Sequence, residues 1–335
     1  MNLLLLFSLH CFLWAVGKAD DGPTDLHQSR PAILLVPGAF HQGQIIYEPV
    51  RQQLKLTGYD EHLIHAIDLP SVGSLATRDD DVNAVVQVMK KYLEQGRDVV
   101  LVGNSGLQLM LLGIYLANNL QGYGCTVAGD AVAGIPSAIN TSPYDPNGRR
   151  RGRVLNLIFF SGYLPYIAHV QHPETHPDIR LVSPTWFAFW PNGSPSTIPL
   201  TVRWDGDLVN FPPQKEFYNV LQQENPQQAD YYVEQSVYPS PVESYTTCHY
   251  VKLRNSSFAA LNAASRYIPY TGDFEVIYVA GKQDNSVPAP LWESYVNQAG
   301  AKFTLEMLDA DHVPMVSRPR DVTDLILKYV QLGSV

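Results

Sequence analysis

Between Asp98 and Leu120 a short β-branched run, Val99-Val100-Leu101-Val102, passes through Gly103-Asn104-Ser105-Gly106 straight into a long Leu- and Met-rich stretch. The first run suits a buried strand, and the second, Leu107 to Leu120, is too long for one. The pattern predicts strand, sharp turn, helix. In open α/β folds such a turn stands at the carboxyl end of a sheet, where ligands bind. A serine at its tip is pushed out above that edge, and small flanking residues let the backbone approach closely. The same turn can also serve as plain connection chemistry, so the rest of the chain must decide.

The rest of the chain repeats the alternation. Ile33–Val36, His62–Ile67, Val154–Phe160, Glu275–Ala280 and Phe303–Leu308 read as further strands. Asp79–Gln95 carries Val82, Val85, Val86, Met89, Tyr92 and Leu93 at helical spacing, behind three aspartates that suit a helix N-terminus. A last helix is expected over Arg320–Gln331. Strands alternating with helices predict an α/β fold with a mostly parallel central sheet and helices on both faces. The pattern breaks over about residues 165–252, a stretch rich in proline and aromatics. Helices are expected there at Gln214–Gln223 and Gln227–Gln235. Because Trp186, Phe187, Phe189 and Trp190 are too apolar for a solvated loop, the stretch is read as a cap or lid.

Two further loops follow predicted strands. Gly281-Lys282-Gln283-Asp284 succeeds Glu275–Ala280, and Asp311-His312-Val313-Pro314 succeeds Phe303–Leu308. A serine, then an acid, then a histidine, each after a parallel strand, is the order of a hydrolytic Ser-Asp-His relay. The loop Pro37-Gly38-Ala39-Phe40-His41 would turn backbone N–H groups toward Ser105, and the Gly106 N–H would point at the same developing oxyanion.

The pieces PAILLVPGAFHQGQIIYEPV, DVVLVGNSG, VIYVAGKQDNSVP and DADHVPMVSRP span nearly the whole chain and resemble the α/β-hydrolase superfamily. They are most similar to its branch of plant methyl esterases, plant hydroxynitrile lyases and secreted fungal hydrolases. FYNVLQQENPQQADYYVEQ resembles that branch's cap. The resemblance implies an α/β-hydrolase fold with Ser105 as nucleophile, Asp284 and His312 as its relay, and the Ala39 and Gly106 N–H groups as oxyanion hole. It implies a small-molecule ester or lactone as substrate and requires no metal or organic cofactor. Two residues depart from the branch: Leu107 stands where glycine is usual, and Asn104 where histidine is common. Two alternatives stay open. One is a hydroxynitrile-lyase-like or C–C bond-cleaving enzyme, which would need a lysine near the pocket, with Lys252 and Lys282 the only remote candidates. The other, suggested by Leu107, is a catalytically silent binding protein.

Composition sets the remaining bounds. The 335 residues carry a formal net charge of −9, which argues against nucleic acid or an anionic membrane surface as partner. Leu3–Val16 is apolar and is followed by Gly17-Lys18-Ala19, the pattern of a secretory signal peptide cleaved after Ala19. A retained anchor is the alternative; cleavage would leave residues 20–335 as one secreted, extracellular hydrolase domain with no membrane attachment. In that oxidising setting Cys125 and Cys248 could pair. The sequons at Asn140, Asn192 and Asn255 read as exposed glycosylation sites. Arg149–Arg153 reads as a solvated basic loop, and His172 and His176 as loop residues, because the intervening prolines forbid a helical metal pair. Asp130 is a conceivable alternative acid, and His41 and His249 are potential pocket residues.

Overall fold

The computed structural model describes residues 30–105, 123–183, 186–191, 198–204, 206–235 and 255–333. The signal segment, Gly106, Leu107, the helix expected from Leu107 to Leu120, Asn192, Cys248, His249 and Lys252 lie outside them. No helix among the described residues is long and apolar enough to cross a membrane.

Six parallel strands form the central sheet: β1 (Ala32–Val36), β2 (Ile64–Ala66), β3 (Val99–Asn104), β4 (Val154–Phe160), β8 (Glu275–Gly281) and β9 (Thr304–Leu308). Their order is β2-β1-β3-β4-β8-β9. Strands β1, β3 and β4 are buried at every residue. That is why they read as continuous apolar runs and not as alternating ones.

The register does the functional work. Val36 pairs with Gly103, Asn104 with Phe160, Phe160 with Val279, and Gly281 with Leu308. The carboxyl ends of five strands therefore share one edge. Ala39, Ser105, Asp284 and His312 all lie within four residues of those ends, so each is delivered to that edge by its own strand.

Helices flank the sheet. α1 (Arg78–Leu93) opens with a reciprocal cap in which the Thr77 hydroxyl accepts from Asp80 N–H and the Asp80 carboxylate accepts from Thr77 N–H. Asp81, expected merely to face the helix dipole, is instead buried, and accepts from Ser71 N–H and the Tyr123 hydroxyl. α2 (Tyr123–Ala131) crosses β3 so closely that a Cβ on Gly103 would meet the Cys125 Cα at 2.9 Å. Cys125 is a free, buried thiol whose sulfur lies against Gly162. Its expected disulfide partner, Cys248, is not among the described residues.

Between β4 and β8 a second, antiparallel sheet appears: β5 (Ala188–Trp190), β6 (Thr201–Arg203) and β7 (Ser256–Ser257). These strands of two or three residues are too short to leave a periodic trace in the sequence. The helix expected over Gln214–Gln223 is two, α3 (Pro213–Glu216) and α4 (Asn219–Glu224), followed by α5 (Pro226–Gln235). Phe217 and Tyr218 form the break and both are buried. A continuous helix would fan these two rings apart by about 100°; the break lets both enter the core. The chain ends in α6 (Pro319–Leu332), whose Val322, Ile326, Tyr329 and Val330 are buried at helical spacing.

Two surface expectations change. Arg150 and Arg153 are not solvated: both pair with the buried carboxylate of Asp98, at 2.8 and 3.4 Å, just before β3. Asn255 is half-buried directly before β7, with Ser256 and Ser257 of its sequon buried, whereas Asn140 is exposed.

Candidate active site

Ser105 follows the last residue of β3 and has φ +78°, a conformation that side-chain-bearing residues seldom adopt. Its N–H donates to Phe160 O at 3.2 Å, tying the turn to β4. The strain aims the hydroxyl across the sheet edge. Ser105 Oγ lies 3.0 Å from His312 Nε2. His312 Nδ1 lies 3.1 and 3.2 Å from the two Asp284 oxygens. Asp284 Oδ1 also accepts from Ser286 N–H at 2.7 Å and Val287 N–H at 2.8 Å, which fixes the carboxylate's rotamer. With Nδ1–H donating to the carboxylate, Nε2 carries the free lone pair and accepts the serine proton. All three side chains are buried.

The loop after β1 closes over the serine. A Cβ on Gly38 would fall 2.0 Å from Ser105 Cβ and 2.4 Å from Oγ, so only glycine fits there. The following peptide is held at both ends: His41 Nδ1 lies 2.8 Å from Ala39 O, and Phe40 N–H donates to Ser256 Oγ at 3.1 Å. Phe40 itself sits at φ +67°. Among the described residues no acceptor takes up the buried Ala39 N–H. A free donor beside a serine hydroxyl is what an oxyanion requires.

His41 is neutral. Burial pulls its pKa down to about 4, against a smaller upward pull from the Ala39 carbonyl, and the neighbouring His312 lowers it further. Its Nδ1–H donates to Ala39 O, so Nε2 accepts from the Tyr218 hydroxyl at 2.8 Å. Between pH 6.5 and 4 the unfolded chain holds the proton that the fold excludes, so stability rises with pH and is lost on acidification. At pH 4 a shift of this size amounts to about 3 kcal/mol. Denaturant titrations at pH 7 and pH 4 should therefore show the wild type losing more stability than His41→Gln, by an amount of that order. Equal losses would show that His41 does not carry the effect.

Asn104, which replaces the branch's more common histidine, has a structural task. Its Nδ2 donates to Phe160 O and to His312 O, each at 3.1 Å, and so joins β3, β4 and the histidine loop in one buried knot. The Phe217 ring stacks on His312 with centroids 5.3 Å apart and planes 29° from parallel.

Other sequence candidates fall elsewhere. Asp130 pairs with Arg78 at 3.3 Å and accepts from Ser265 Oγ, Arg266 N–H and Tyr267 N–H, so its carboxylate is committed to structure. Lys282 is exposed. His176 Nε2 bonds Asn262 O, and among the described residues no cluster of three metal-ligating side chains occurs. A groove of about 420 Å³ is lined by Arg30, Thr57, Tyr59, Leu327 and Val330. It lies at the amino-terminal end of β1, the opposite edge from Ser105, and contains none of these groups.

Residues 33–325 match the model of the Alpha/beta hydrolase family. The chain belongs to this family. Over 313 residues this α/β-hydrolase is 23% identical to Methylesterase 7 of Arabidopsis thaliana, covering 90% of the chain and 96% of that protein. Alpha/beta hydrolase nvfD of Aspergillus novofumigatus is 36% identical over 76 residues, 23% of this chain and 30% of that one. In fold the α/β-hydrolase resembles polyneuridine aldehyde esterase, with TM-score 0.56, 17% identity and coverage of 89% of this chain and 98% of that one. It also resembles the methylesterase MES16 from Arabidopsis, with TM-score 0.57, 13% identity and coverage of 90% and 99%.

Proposed function

We propose that this α/β-hydrolase is a secreted serine esterase that cleaves a carboxylic ester or lactone of a small molecule. The observation that carries the reading is the continuous relay from Ser105 Oγ through the His312 ring to Asp284, with contacts of 3.0 and 3.1 Å.

In the acylation step His312 Nε2 takes the Ser105 proton as Oγ attacks the carbonyl carbon. The C=O electron pair moves onto oxygen, and the free Ala39 N–H stabilises that charge. Asp284 keeps His312 in the required tautomer and stabilises the imidazolium as it forms. The tetrahedral species collapses, and His312 returns its proton to the departing alkoxide. Water, deprotonated by the same imidazole, then attacks the acyl-serine, and Ser105 leaves with the proton. Neutral His41 suits this site, because a second cation beside His312 would oppose imidazolium formation. The names of the relatives, two methylesterases and polyneuridine aldehyde esterase, lend support to an ester as substrate. The apolar Leu3–Val16 segment supports export with cleavage after Ala19.

The test is fluorophosphonate labelling of the purified protein, followed by peptide mapping and turnover of p-nitrophenyl acetate and of a cyanohydrin. Labelling confined to Ser105 together with release of p-nitrophenol is expected. Absence of labelling defeats the reading in favour of a silent scaffold, and cyanohydrin cleavage without ester hydrolysis defeats it in favour of a lyase.

A further inference from the structure

One ten-residue stretch of the cap, 215–224, bonds to three loops of the candidate site. On the acid loop, Asn285 Nδ2 donates to Lys215 O at 2.8 Å, Ser286 Oγ to Glu216 O at 3.0 Å, and Asn219 Nδ2 to Gln283 O at 2.9 Å. These bonds bracket Asp284 on both sides. On the loop after β1, Tyr218 bonds His41. On the histidine loop, Asp311 Oδ2 accepts Val220 N–H at 3.1 Å and Leu221 N–H at 3.2 Å, while its Oδ1 accepts Ser317 Oγ at 2.7 Å. The far end of α4 is tied by Glu224 to Arg318, at 2.6 Å.

From this geometry we infer that Asp311 is a positioning residue that couples the cap to His312. The carboxylate is wholly buried one residue before His312, with both oxygens committed. It receives two orphan N–H groups from the first turn of α4, the donors a short helix cannot satisfy internally. His312 is thus held from two directions: Asn104 grips its carbonyl from the sheet, and Asp311 grips the preceding residue from the cap. The Phe217 ring closes between the two. Without the cap-side grip the imidazole keeps its chemistry but loses its registration with Ser105 Oγ, and a misplacement of about 1 Å costs on the order of 100-fold in rate. Asparagine at 311 retains an acceptor for the two N–H groups and lacks only the charge.

The inference rests on the esterase reading for its rate measurements, so a second readout is independent of turnover. Asp311→Ala should lower kcat for p-nitrophenyl acetate by about 30- to 100-fold, with KM within about threefold of wild type. The rate constant for fluorophosphonate labelling should fall in parallel. The low-field proton resonance of the His312 Nδ1–H, bonded to Asp284, should broaden or vanish. Asp311→Asn should recover kcat to within about fivefold of wild type and restore the resonance. A kcat for Asp311→Ala within about threefold of wild type, a loss confined to KM, or Asp311→Asn as impaired as Asp311→Ala would each overturn the inference. Should Asp311→Ala fail to fold, Ser317→Ala decides: it leaves the carboxylate in place but unbraced, and an unchanged kcat there overturns the inference, while a fall of about threefold to tenfold supports it. A wild type that shows the resonance but hydrolyses no ester sinks the esterase reading alone.

Discussion

Ser105→Ala is expected to reduce ester turnover by on the order of 10⁴- to 10⁶-fold while the chain still folds. The Ser105 hydroxyl is the one hydroxyl bonded to His312 among the described residues, and alanine leaves the imidazole nothing to activate but water. Stability should change little, because the lost hydrogen bond contributes only about 1 kcal/mol. Ser105→Gly sharpens the test. It abolishes activity equally, but glycine relaxes the left-handed turn at φ +78° and should regain roughly 1 kcal/mol. Steady-state hydrolysis of p-nitrophenyl acetate and urea titration on the same preparations separate the two effects. Retained turnover in either variant removes Ser105 from the mechanism.

Gly38→Ala is the second large effect, and it arises from space alone. The added methyl would sit 2.0 Å from Ser105 Cβ and 2.4 Å from Oγ. Relief requires either a swing of the serine away from His312 or a retreat of the loop that carries the Ala39 N–H. The first breaks the 3.0 Å contact and the second withdraws an oxyanion donor, a group whose removal costs about 10²- to 10³-fold in kcat. Overpacking should also destabilise the fold by about 1–3 kcal/mol. A fall in kcat of at least about 100-fold, with KM changed far less, is expected. Wild-type kcat in this variant would mean that the loop after β1 does not stand over the serine as described.

Parts of this arrangement are legible in the order of residues. Val154–Phe160 is a strand over the same residues as expected, and the other five strands agree to within two residues at their ends. Buried parallel strands advertise themselves as unbroken apolar runs. The cap is harder to read. Local pattern favours one helix across Phe217-Tyr218, but their burial against His312 and His41 overrides that preference. Asn104 reads as a blemish in the turn because its meaning lies in Phe160 and His312, 56 and 208 residues further along the chain. Asp311 reads as a neighbour of the histidine and nothing more, since its partners Val220 and Leu221 are 91 and 90 residues away.

What the amino-acid order determined by itself was the alternation of strand and helix, and the presence of a serine, a carboxylate and an imidazole just beyond three separate strands. Local pattern suffices for that, because burial periodicity and turn chemistry act over a few residues. Only the folded chain decided which polar groups meet: that Gly38 presses on Ser105, that Ala39 keeps a free N–H, and that the cap is bonded to the histidine loop. Those contacts join residues far apart in sequence, and their short-ranged, directional bonds exist only once parallel register has brought the strand ends to one edge.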